Sequence, residues 1–579
     1  MERKNIIIAF LAILLAVSGV GNFILGINLL FHGEIEPPLN KTLVIGTALG
    51  PSVLDPVNCW DYASQIVLDQ VVETLFTYNL SDHNLPRVPL LAESYWWEST
   101  TILHIKVREG IVFHDLTPFN ATTTKWNLDR LLYLTNCTGN LPDTLVPGYP
   151  SLLYFFSDGE TPIISNVFSD GAYNVTITLN APFASFLDLL CYIASGMLSP
   201  KSIPDDNFIS LTYGRIIGTG PFIYKYYVPN VEVSLEGFEY YWQGAPFLEE
   251  VIIYEYLDIV RCFPVGRCAG PPPKYEIDWP TSFMPSLIST FEADSSVTVM
   301  KFTDTYGIPG LIYQYLGMNN EYINLSWRKA ISYAINYTYI IEELMKDLGM
   351  RANSPISPGF GVAYNSSVTS ANYDLLIARQ TLIDAGIAVG YPLNPDPNDV
   401  YWISNPLISL NYTYNIGNSF REDVYDALEV WLPRVGIQIV DDGITWNAYL
   451  RKLFEDQDEL RLFWIGWGPN YKDPHDMLDY LFNPNRIYNP LFDSDYNYYT
   501  NSAQVNDTKL NDMLDLALQT IDDTARNTIY KNIQWYISNR LYPHCFGYHS
   551  KVTYVHKANL HGIQYNALNK FYFYPVSKL

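Results

Sequence analysis

A long uncharged segment at the N-terminus places the strongest constraint on this chain. Residues 5–31 contain no charged side chain, and Arg3 and Lys4 precede them. A helix of this length extends about 40 Å at 1.5 Å per residue, which is enough to cross a hydrocarbon core of roughly 30 Å. Basic residues before such a helix favour a cytoplasmic N-terminus. The sequence therefore predicts a signal anchor at residues 1–31, with the rest of the chain outside the cell.

A cleavable signal peptide is the alternative for this segment. Ala16 and Ser18 are small residues of the kind that signal peptidase prefers, but the apolar run continues past them through Phe23 and Leu30. The longer run favours an uncleaved anchor in the cytoplasmic membrane. Residues 32–41 are polar and contain two prolines, which predicts a stalk between the membrane and the folded part.

The composition excludes several classes of function. The chain has 579 residues with 60 acidic and 35 basic side chains, a formal net charge of −25. Nucleic-acid-binding proteins present clustered Lys and Arg, and this sequence has no such cluster. Aromatic residues make up 15% of the chain, which argues against disorder. Because single cores stop growing at about 250–300 residues, the length predicts roughly two to four domains.

The cysteines and the glycosylation motifs agree with an extracellular location. Six cysteines allow about 15 disulfide pairings, and Cys262 with Cys268 is the pair we expect, two free thiols being the alternative. A zinc site is not expected, since neither a CxxC nor an HExxH motif occurs. Ten Asn-x-Ser/Thr sequons give secondary support for a surface glycoprotein.

Hydrophobic periodicity predicts a mixture of strands and helices. Strands are expected at residues 43–48, 103–107, 175–179 and 435–440. Helices are expected at residues 61–78, 326–345 with Ser326 as the N-cap, 420–432, and 509–541 with a second helix beginning at Ala525. Helices that alternate with strands predict an α/β fold in which helices cover the faces of sheets.

Sequence signatures of catalysis are missing from the chain. There is no GxSxG elbow and no GxxxxGK segment followed by Ser or Thr. Gly218 and Gly220 are followed by Ile223 where a dinucleotide-binding fingerprint needs a third glycine. The sequence therefore predicts no enzyme activity and no cofactor, and Gly218 and Gly220 are expected to form a structural turn.

Eight short segments follow one another along the chain in a recognisable order. They lie at residues 54–56, 106–118, 121–130, 218–222, 239–242, 327–336, 432–439 and 466–474. Together these segments resemble the family 5 (peptide/nickel-type) solute-binding proteins of ABC transporters, the group of oligopeptide- and dipeptide-binding proteins. The resemblance extends from residue 42 to the C-terminus.

The resemblance implies an α/β clamshell of the periplasmic-binding-protein type (class II), with two lobes and an inserted third domain. The first lobe would comprise residues 42–85, 206–300 and 550–579, the inserted domain residues 86–205, and the second lobe residues 301–549. Chain crossings near residues 301–310 and near Tyr548 would form the hinge. A ligand in the cleft would favour the closed form.

The resemblance also points to residues of the cleft. In peptide binders of this family, a carboxylate in a Gly-Trp-x-x-Asp-Tyr segment pairs with the ligand's α-ammonium group. Asn470 stands at that position here, and an amide brings no countercharge, so a neutral or polyhydroxylated solute is an alternative to a peptide. Asp473 either serves the amine or caps the helix that follows.

Four more candidates come from the same comparison of segments. Trp467 matches the family's cleft tryptophan and would form a rigid apolar wall, with ordinary core packing as the alternative. Tyr471, in the same loop, would stack on the ligand or donate its hydroxyl. Asn319 either contacts the ligand or orders a turn, and Trp60 is a further cleft candidate.

The predicted function is the extracellular substrate-binding component of an ABC importer. The protein would be a monomer that captures oligopeptides or similar solutes and delivers them to the permease subunits, held at the membrane by its N-terminal helix. Three alternatives remain: an oligosaccharide-binding member of the same family, a structural or adhesive surface glycoprotein that kept the fold, and a secreted hydrolase.

Overall fold

The computed structural model describes residues 41–142, 144–145, 148–212, 214–255, 276–283, 285–485, 487–488 and 498–578. The predicted signal anchor, the stalk apart from Lys41, and the expected Cys262–Cys268 pair lie outside these residues. Within the described part, no helix combines the length and the apolarity needed to cross a membrane. The cysteines found there, Cys59, Cys137, Cys191 and Cys545, are free thiols.

A five-stranded mixed sheet organises the first part of the fold. Its strands lie in the order Trp279–Pro280, Thr42–Thr47, Glu250–Glu255, Glu232–Gly237 and Phe222–Val228. The strand Thr42–Thr47 runs parallel to both of its neighbours, and the remaining pairs are antiparallel. Its residues are buried after the first, as expected for a continuous apolar run between two sheet partners.

A four-stranded antiparallel sheet follows in the chain. Its order is Ala92–Ser99, Ile102–Val107, Asn174–Leu179 and Ile164–Asp170. The predicted alternation is observed, because Leu103, Ile105 and Val107 are buried while the residues between them are half-buried. The helix Ala121–Leu134 packs against this sheet. A single hydrophobic core joins the four-stranded and the five-stranded sheet.

A six-stranded sheet organises the second part. Its order is Gly349–Arg351, His544–Ser550, Tyr313–Met318, Leu462–Trp467, Ile408–Asn415 and Ile437–Ile444. Alternation along the strand Leu462–Trp467 places Leu462 and Trp464 in one core and Phe463 in another. Each face of the sheet is therefore covered, which confirms the predicted α/β layering.

The remaining elements are helices and short strand pairs. The other α-helices are Tyr62–Val71, Phe186–Leu189, Ile288–Glu292, Phe302–Tyr306, Leu325–Ala334, Tyr337–Tyr339, Leu375–Asp384, Val400–Ser404, Ser419–Trp431, Trp446–Phe454, Pro474–Phe482, Thr508–Gln519 and Asp523–Tyr536. Short 3-10 helices span Pro56–Asn58, Tyr149–Tyr154, Ile193–Ser195, Pro285–Leu287, Pro358–Ala363, Leu432–Val435 and Gln457–Glu459, and π-helical turns span Ile340–Leu344 and Ile537–Leu541. The two-stranded pairs are Phe76–Tyr78 with Arg87–Pro89, Val297–Lys301 with Thr553–Lys557, Ile487–Tyr488 with Tyr498–Tyr499, and Leu560–His561 with Ser577–Lys578.

Two helix predictions are corrected by the structure. The helix expected at residues 61–78 ends at Val71, because the chain then enters the strand Phe76–Tyr78. Ser326 is not the N-cap of the later helix. Asn324 is, since its side chain accepts a hydrogen bond from the backbone N–H of Trp327 at 3.2 Å.

The two parts of the fold are joined by adjacent crossings of the chain. The backbone N–H of Gly310 donates to the carbonyl of Ser550 at 2.9 Å, and the N–H of Val552 donates to the hydroxyl of Thr303 at 2.9 Å. The chain segments at residues 303–310 and 550–552 therefore lie side by side.

A buried ion pair fastens the segment Leu54-Asp55-Pro56 to the helix Ala121–Leu134. The Arg130 guanidinium donates to both carboxylate oxygens of Asp55, at 3.2 and 2.5 Å, and both side chains are almost fully buried. Asp55 also accepts from the backbone N–H groups of Val57 and Ile209. The ion pair therefore joins two of the eight segments identified in the sequence, those at residues 54–56 and 121–130.

Replacing Arg130 by Met should destabilise the protein strongly. The change leaves the Asp55 carboxylate buried without its countercharge, which costs about 3–5 kcal/mol. Lys125→Met on the same helix is the matched control, because Lys125 and Asp129 form an exposed i,i+4 pair worth about 0.5 kcal/mol or less. Urea unfolding midpoints measure both effects, and equal midpoints for the two variants would contradict the assignment.

Candidate functional site

A cavity of about 450 Å³ lies where the two parts of the fold meet. We call it the central cavity. One wall comes from the start of the helix Tyr62–Val71 and from residues 567–571, a second from the crossings at residues 310–312 and 550–553, and a third from the loop at residues 468–470. All three regions of the chain are needed to enclose it.

Two of the residues predicted from the sequence line this cavity. Trp60 lies on its surface with 52% of the side chain exposed. Asn470 lies on the opposite loop, where its backbone N–H and its Nδ2 both donate to the carboxylate of Asp476, at 2.7 and 3.0 Å. Asp476 is fully buried, so it holds the amide of Asn470 in a fixed orientation at the cavity edge.

Trp467 stands one residue before the loop that lines the cavity. It ends the strand Leu462–Trp467, and its indole N–H donates to the carbonyl of Asp476 at 3.3 Å. The half-buried ring packs against two cores, one on each side of the meeting region. This position makes Trp467 a support for the loop rather than part of the cavity lining.

Tyr471 and Asn319 lie in the interior and do not line the central cavity. Tyr471 is fully buried, and its hydroxyl is 2.8 Å from Nδ1 of His475. Asn319 donates to the carbonyls of Gln457 and Leu460 and accepts from the N–H groups of Glu321 and Tyr322. The hydroxyl of Tyr471 therefore lies against His475 inside the protein, and Asn319 orders the turn that follows its strand.

Asp473 caps the helix Pro474–Phe482, as the structural alternative predicted. Its carboxylate accepts from the backbone N–H of His475 at 2.9 Å and from the hydroxyl of Tyr530 at 2.7 Å. Arg526 approaches its other oxygen at 3.8 Å. These contacts leave Asp473 committed to the structure of the second part.

The central cavity carries both signs of charge. Asp69 and Lys570 form an ion pair at 2.8 Å on its wall, and burial raises the pKa of Asp69 although the lysine opposes this rise. Lys551 lies on one of the chain crossings that line the cavity, and its ammonium group forms an ion pair with Asp304 at 3.0 Å. The rings of Tyr62 and Phe571 meet edge to face at 6.1 Å beside them. The cavity thus offers an acid, two ammonium groups and aromatic surface.

Contacts around the cavity hold the two parts of the fold together. The backbone N–H of Lys472 donates to the hydroxyl of Tyr78 at 2.8 Å, and that hydroxyl donates to Asp188 at 3.1 Å. Arg87 forms an ion pair with Asp188. Burial raises the pKa of the Asp188 carboxyl, and the guanidinium of Arg87 partly offsets the rise. The loop at residues 470–473 is therefore clamped against the first part.

A second cavity, of about 430 Å³, adjoins the first and is called the side cavity. Glu73 lies in its wall and accepts hydrogen bonds from the hydroxyls of Thr219 and Tyr241, each at 2.8 Å, and from the indole N–H of Trp242 at 3.1 Å. Burial raises the pKa of Glu73 to about 7, against the effect of these donors. The segments at residues 218–222 and 239–242 thus meet at one carboxylate.

Sequence reasoning missed Glu73, Asp69 and Lys570. Nothing in the local pattern marks them, since Asp69 and Glu73 fall within and just after an ordinary amphipathic helix. The segments at residues 218–222 and 239–242 both contact Glu73, but neither segment identifies that carboxylate in the sequence. In the described residues, no cluster of three or more His, Cys, Asp and Glu side chains is arranged to hold a metal ion.

Comparisons with known proteins agree with this geometry. A profile of the bacterial extracellular solute-binding proteins, family 5 (middle region), matches residues 87–489. The glutathione-binding protein GsiB of Shigella flexneri serotype 5b (strain 8401) is 24% identical over 510 residues, which cover 85% of this chain and 86% of that protein.

Two solved structures show the same fold. One is the ABC transporter-associated periplasmic binding protein DppA from Helicobacter pylori in complex with the peptide STSA, with a TM-score of 0.73, 20% identity, and coverage of 93% of this chain and 98% of that chain. The other is the oligopeptide-binding protein AppA from Bacillus subtilis in complex with a nonapeptide, with a TM-score of 0.70, 19% identity, and coverage of 93% and 99%.

The buried position of Glu73 predicts a specific pH dependence of stability. Its pKa is near 7 in the folded protein and near 4.5 when unfolded, so its contribution is fully present below pH 4.5 and is lost as the pH rises through 7. We expect the free energy of unfolding to fall by about 3 kcal/mol more in the wild type than in Glu73→Gln between pH 4.5 and pH 8. Denaturant unfolding at a series of pH values measures the difference, and parallel profiles would refute the assignment.

Proposed function

The chain belongs to family 5 of the bacterial extracellular solute-binding proteins, and from this premise we propose that it captures short peptides in the central cavity and delivers them to an ABC importer. The family consists of binding proteins for ABC importers rather than enzymes.

The observation that carries the proposal is the pairing of opposite charges in a cavity of small-ligand size. A volume of about 450 Å³ falls within the roughly 300–1,000 Å³ of small-molecule sites. A free peptide has an ammonium group at one end and a carboxylate at the other, and each needs a countercharge when it leaves water. Asp69 provides the carboxylate for the peptide's ammonium group, and Lys570 and Lys551 provide ammonium groups for the peptide's carboxylate.

Asp69 takes the role that the family pattern gives to the position of Asn470. Among the described residues that line the central cavity, Asp69 alone carries a carboxylate. Asn470 faces the same space with its amide nitrogen already committed to Asp476, which leaves its carbonyl oxygen to accept a hydrogen bond from the ligand. We assign the ligand's ammonium group to Asp69, with Asn470 as a neutral acceptor.

An oligosaccharide is the second candidate ligand. Trp60 and Tyr62 are exposed aromatic rings, and Gln65, Asn470 and Asn569 add amide groups to the same cavity. Such surfaces suit the apolar faces and hydroxyl groups of sugars. An adhesive role has weaker support, because the cavity is not filled by side chains.

The proposed architecture is a clamshell with an inserted domain. The first lobe comprises residues 42–85, 206–300 and 550–579, the inserted domain residues 86–205, and the second lobe residues 301–549. The adjacent crossings at Gly310 and Ser550 would act as the hinge, since a few residues there join the lobes. We further propose a monomer outside the cell, anchored by the apolar segment at residues 1–31 and docking on the permease subunits.

Calorimetric titration of the full chain with dialanine, trialanine and cellobiose tests the proposal. We expect the peptides to bind with 1:1 stoichiometry and the disaccharide to give no heat. Trp60→Ala should weaken peptide binding about tenfold, which corresponds to about 1.4 kcal/mol of lost contact with the exposed ring.

Trp96→Ala is the matched control for this variant. Trp96 has the same exposure, 52%, but lies on the strand Ala92–Ser99 against His104 and lines neither cavity. The Trp96→Ala variant should bind peptides with the same affinity as the wild type. Equal losses in both variants, or heat from cellobiose alone, would count against peptide capture by the central cavity.

A further inference from the structure

The side cavity shares a wall with the central cavity. Asp69, Tyr78, Cys191 and Lys570 line both. The shared wall is held by the ion pair between Asp69 and Lys570, and the side chain of Lys570 is 24% exposed. The lysine side chain has a flexible four-carbon stem, so Lys570 can turn away from Asp69 without moving the backbone. A ligand can then extend from one cavity into the other.

Arg108 gives the side cavity an uncommitted cation. It follows the strand Ile102–Val107, its Nε donates to the carbonyl of Leu90 at 2.6 Å, and its guanidinium lies 5.1 Å from the ring centre of Trp242. Among the described residues, its two terminal nitrogens have no hydrogen-bond partner, and no carboxylate forms an ion pair with it. The hydrogen bond to Leu90 and the cation–π contact with Trp242 hold the guanidinium at the cavity wall, where its terminal N–H groups are available to a ligand.

Burial raises the pKa of Glu73 and the positive charge of Arg108 opposes this rise, but the oxygens of Glu73 accept hydrogen bonds from other groups. Its two oxygens accept the hydrogen bonds of Thr219, Tyr241 and Trp242. A guanidinium that presents two parallel N–H groups is matched in geometry by a carboxylate. The side cavity therefore has one vacant position for an anionic group, at Arg108, with the ammonium of Lys570 on the adjoining wall.

We propose that the side cavity is a second ligand compartment, which binds through Arg108 the carboxylate of a solute whose other end occupies the central cavity. The inference rests on the proposed function for the solute class and extends it to longer peptides. An extended chain advances about 3.3–3.6 Å per residue, so a peptide of several residues spans both compartments. A free carboxylate that enters the side cavity alone would use the same group, and the experiment separates the two cases.

The first arm compares tetra-alanine with its C-terminal amide by calorimetry on the full chain. The wild type should bind the free acid about tenfold more tightly than the amide. Arg108→Gln should abolish this preference, and Arg108→Lys, which keeps the cation, should restore part of it. Lys106→Gln is the matched control, since Lys106 precedes Arg108 by two residues, pairs with Glu93 at the surface and lines neither cavity.

The second arm uses succinate as a probe of the side cavity alone. Succinate should raise the melting temperature of the wild type and of Lys106→Gln but not of Arg108→Gln. Absence of any Arg108-dependent response in both arms overturns the inference. If succinate responds through Arg108 while no peptide binds the wild type, the proposed function fails and the two-compartment arrangement for a peptide is overturned with it.

Discussion

The central cavity depends on two neighbouring crossings of the chain. They are hydrogen-bonded to each other at Gly310 and Ser550, and both line the cavity. The five-stranded and four-stranded sheets share one core, and the six-stranded sheet has cores on both faces. Beside these crossings the two parts meet over a surface that includes the central cavity. The hydrogen bond between Lys472 and Tyr78 lies beside the cavity and holds the loop at residues 470–473 against the first part of the fold.

The recurrent segments of the family pattern serve this framework more than they serve the ligand. Gly218 illustrates the point, because a Cβ at that position would lie 2.0 Å from the carbonyl oxygen of Val71. The close approach brings Thr219 to Glu73, where Tyr241 and Trp242 also arrive. Asp55 and Arg130 join two further segments in the same way. Buried polar groups of this kind tolerate few partners, since an unpaired one costs free energy.

Local pattern predicted the layering of the fold well and its contacts less well. The alternation at residues 103–107 and the apolar run at residues 43–48 each appear as a strand, because burial follows a period that a sequence displays. Trp60 and Asn470 line the central cavity, whereas Tyr471 is buried in the core shared by the five-stranded and four-stranded sheets. Whether an aromatic side chain faces a cavity or a core depends on partners far along the chain, and the same is true of the Asp69–Lys570 pair.

Native mass spectrometry of the purified full chain shows whether the protein holds a small solute in its folded state. We expect a folded protein that carries one small solute from its source or acquires one on addition of trialanine, and that releases it on unfolding. Occupancy should fall in Trp60→Ala and stay unchanged in Trp96→Ala. If every preparation has the mass of the polypeptide alone and gains no peptide at saturating trialanine, the protein does not capture peptides.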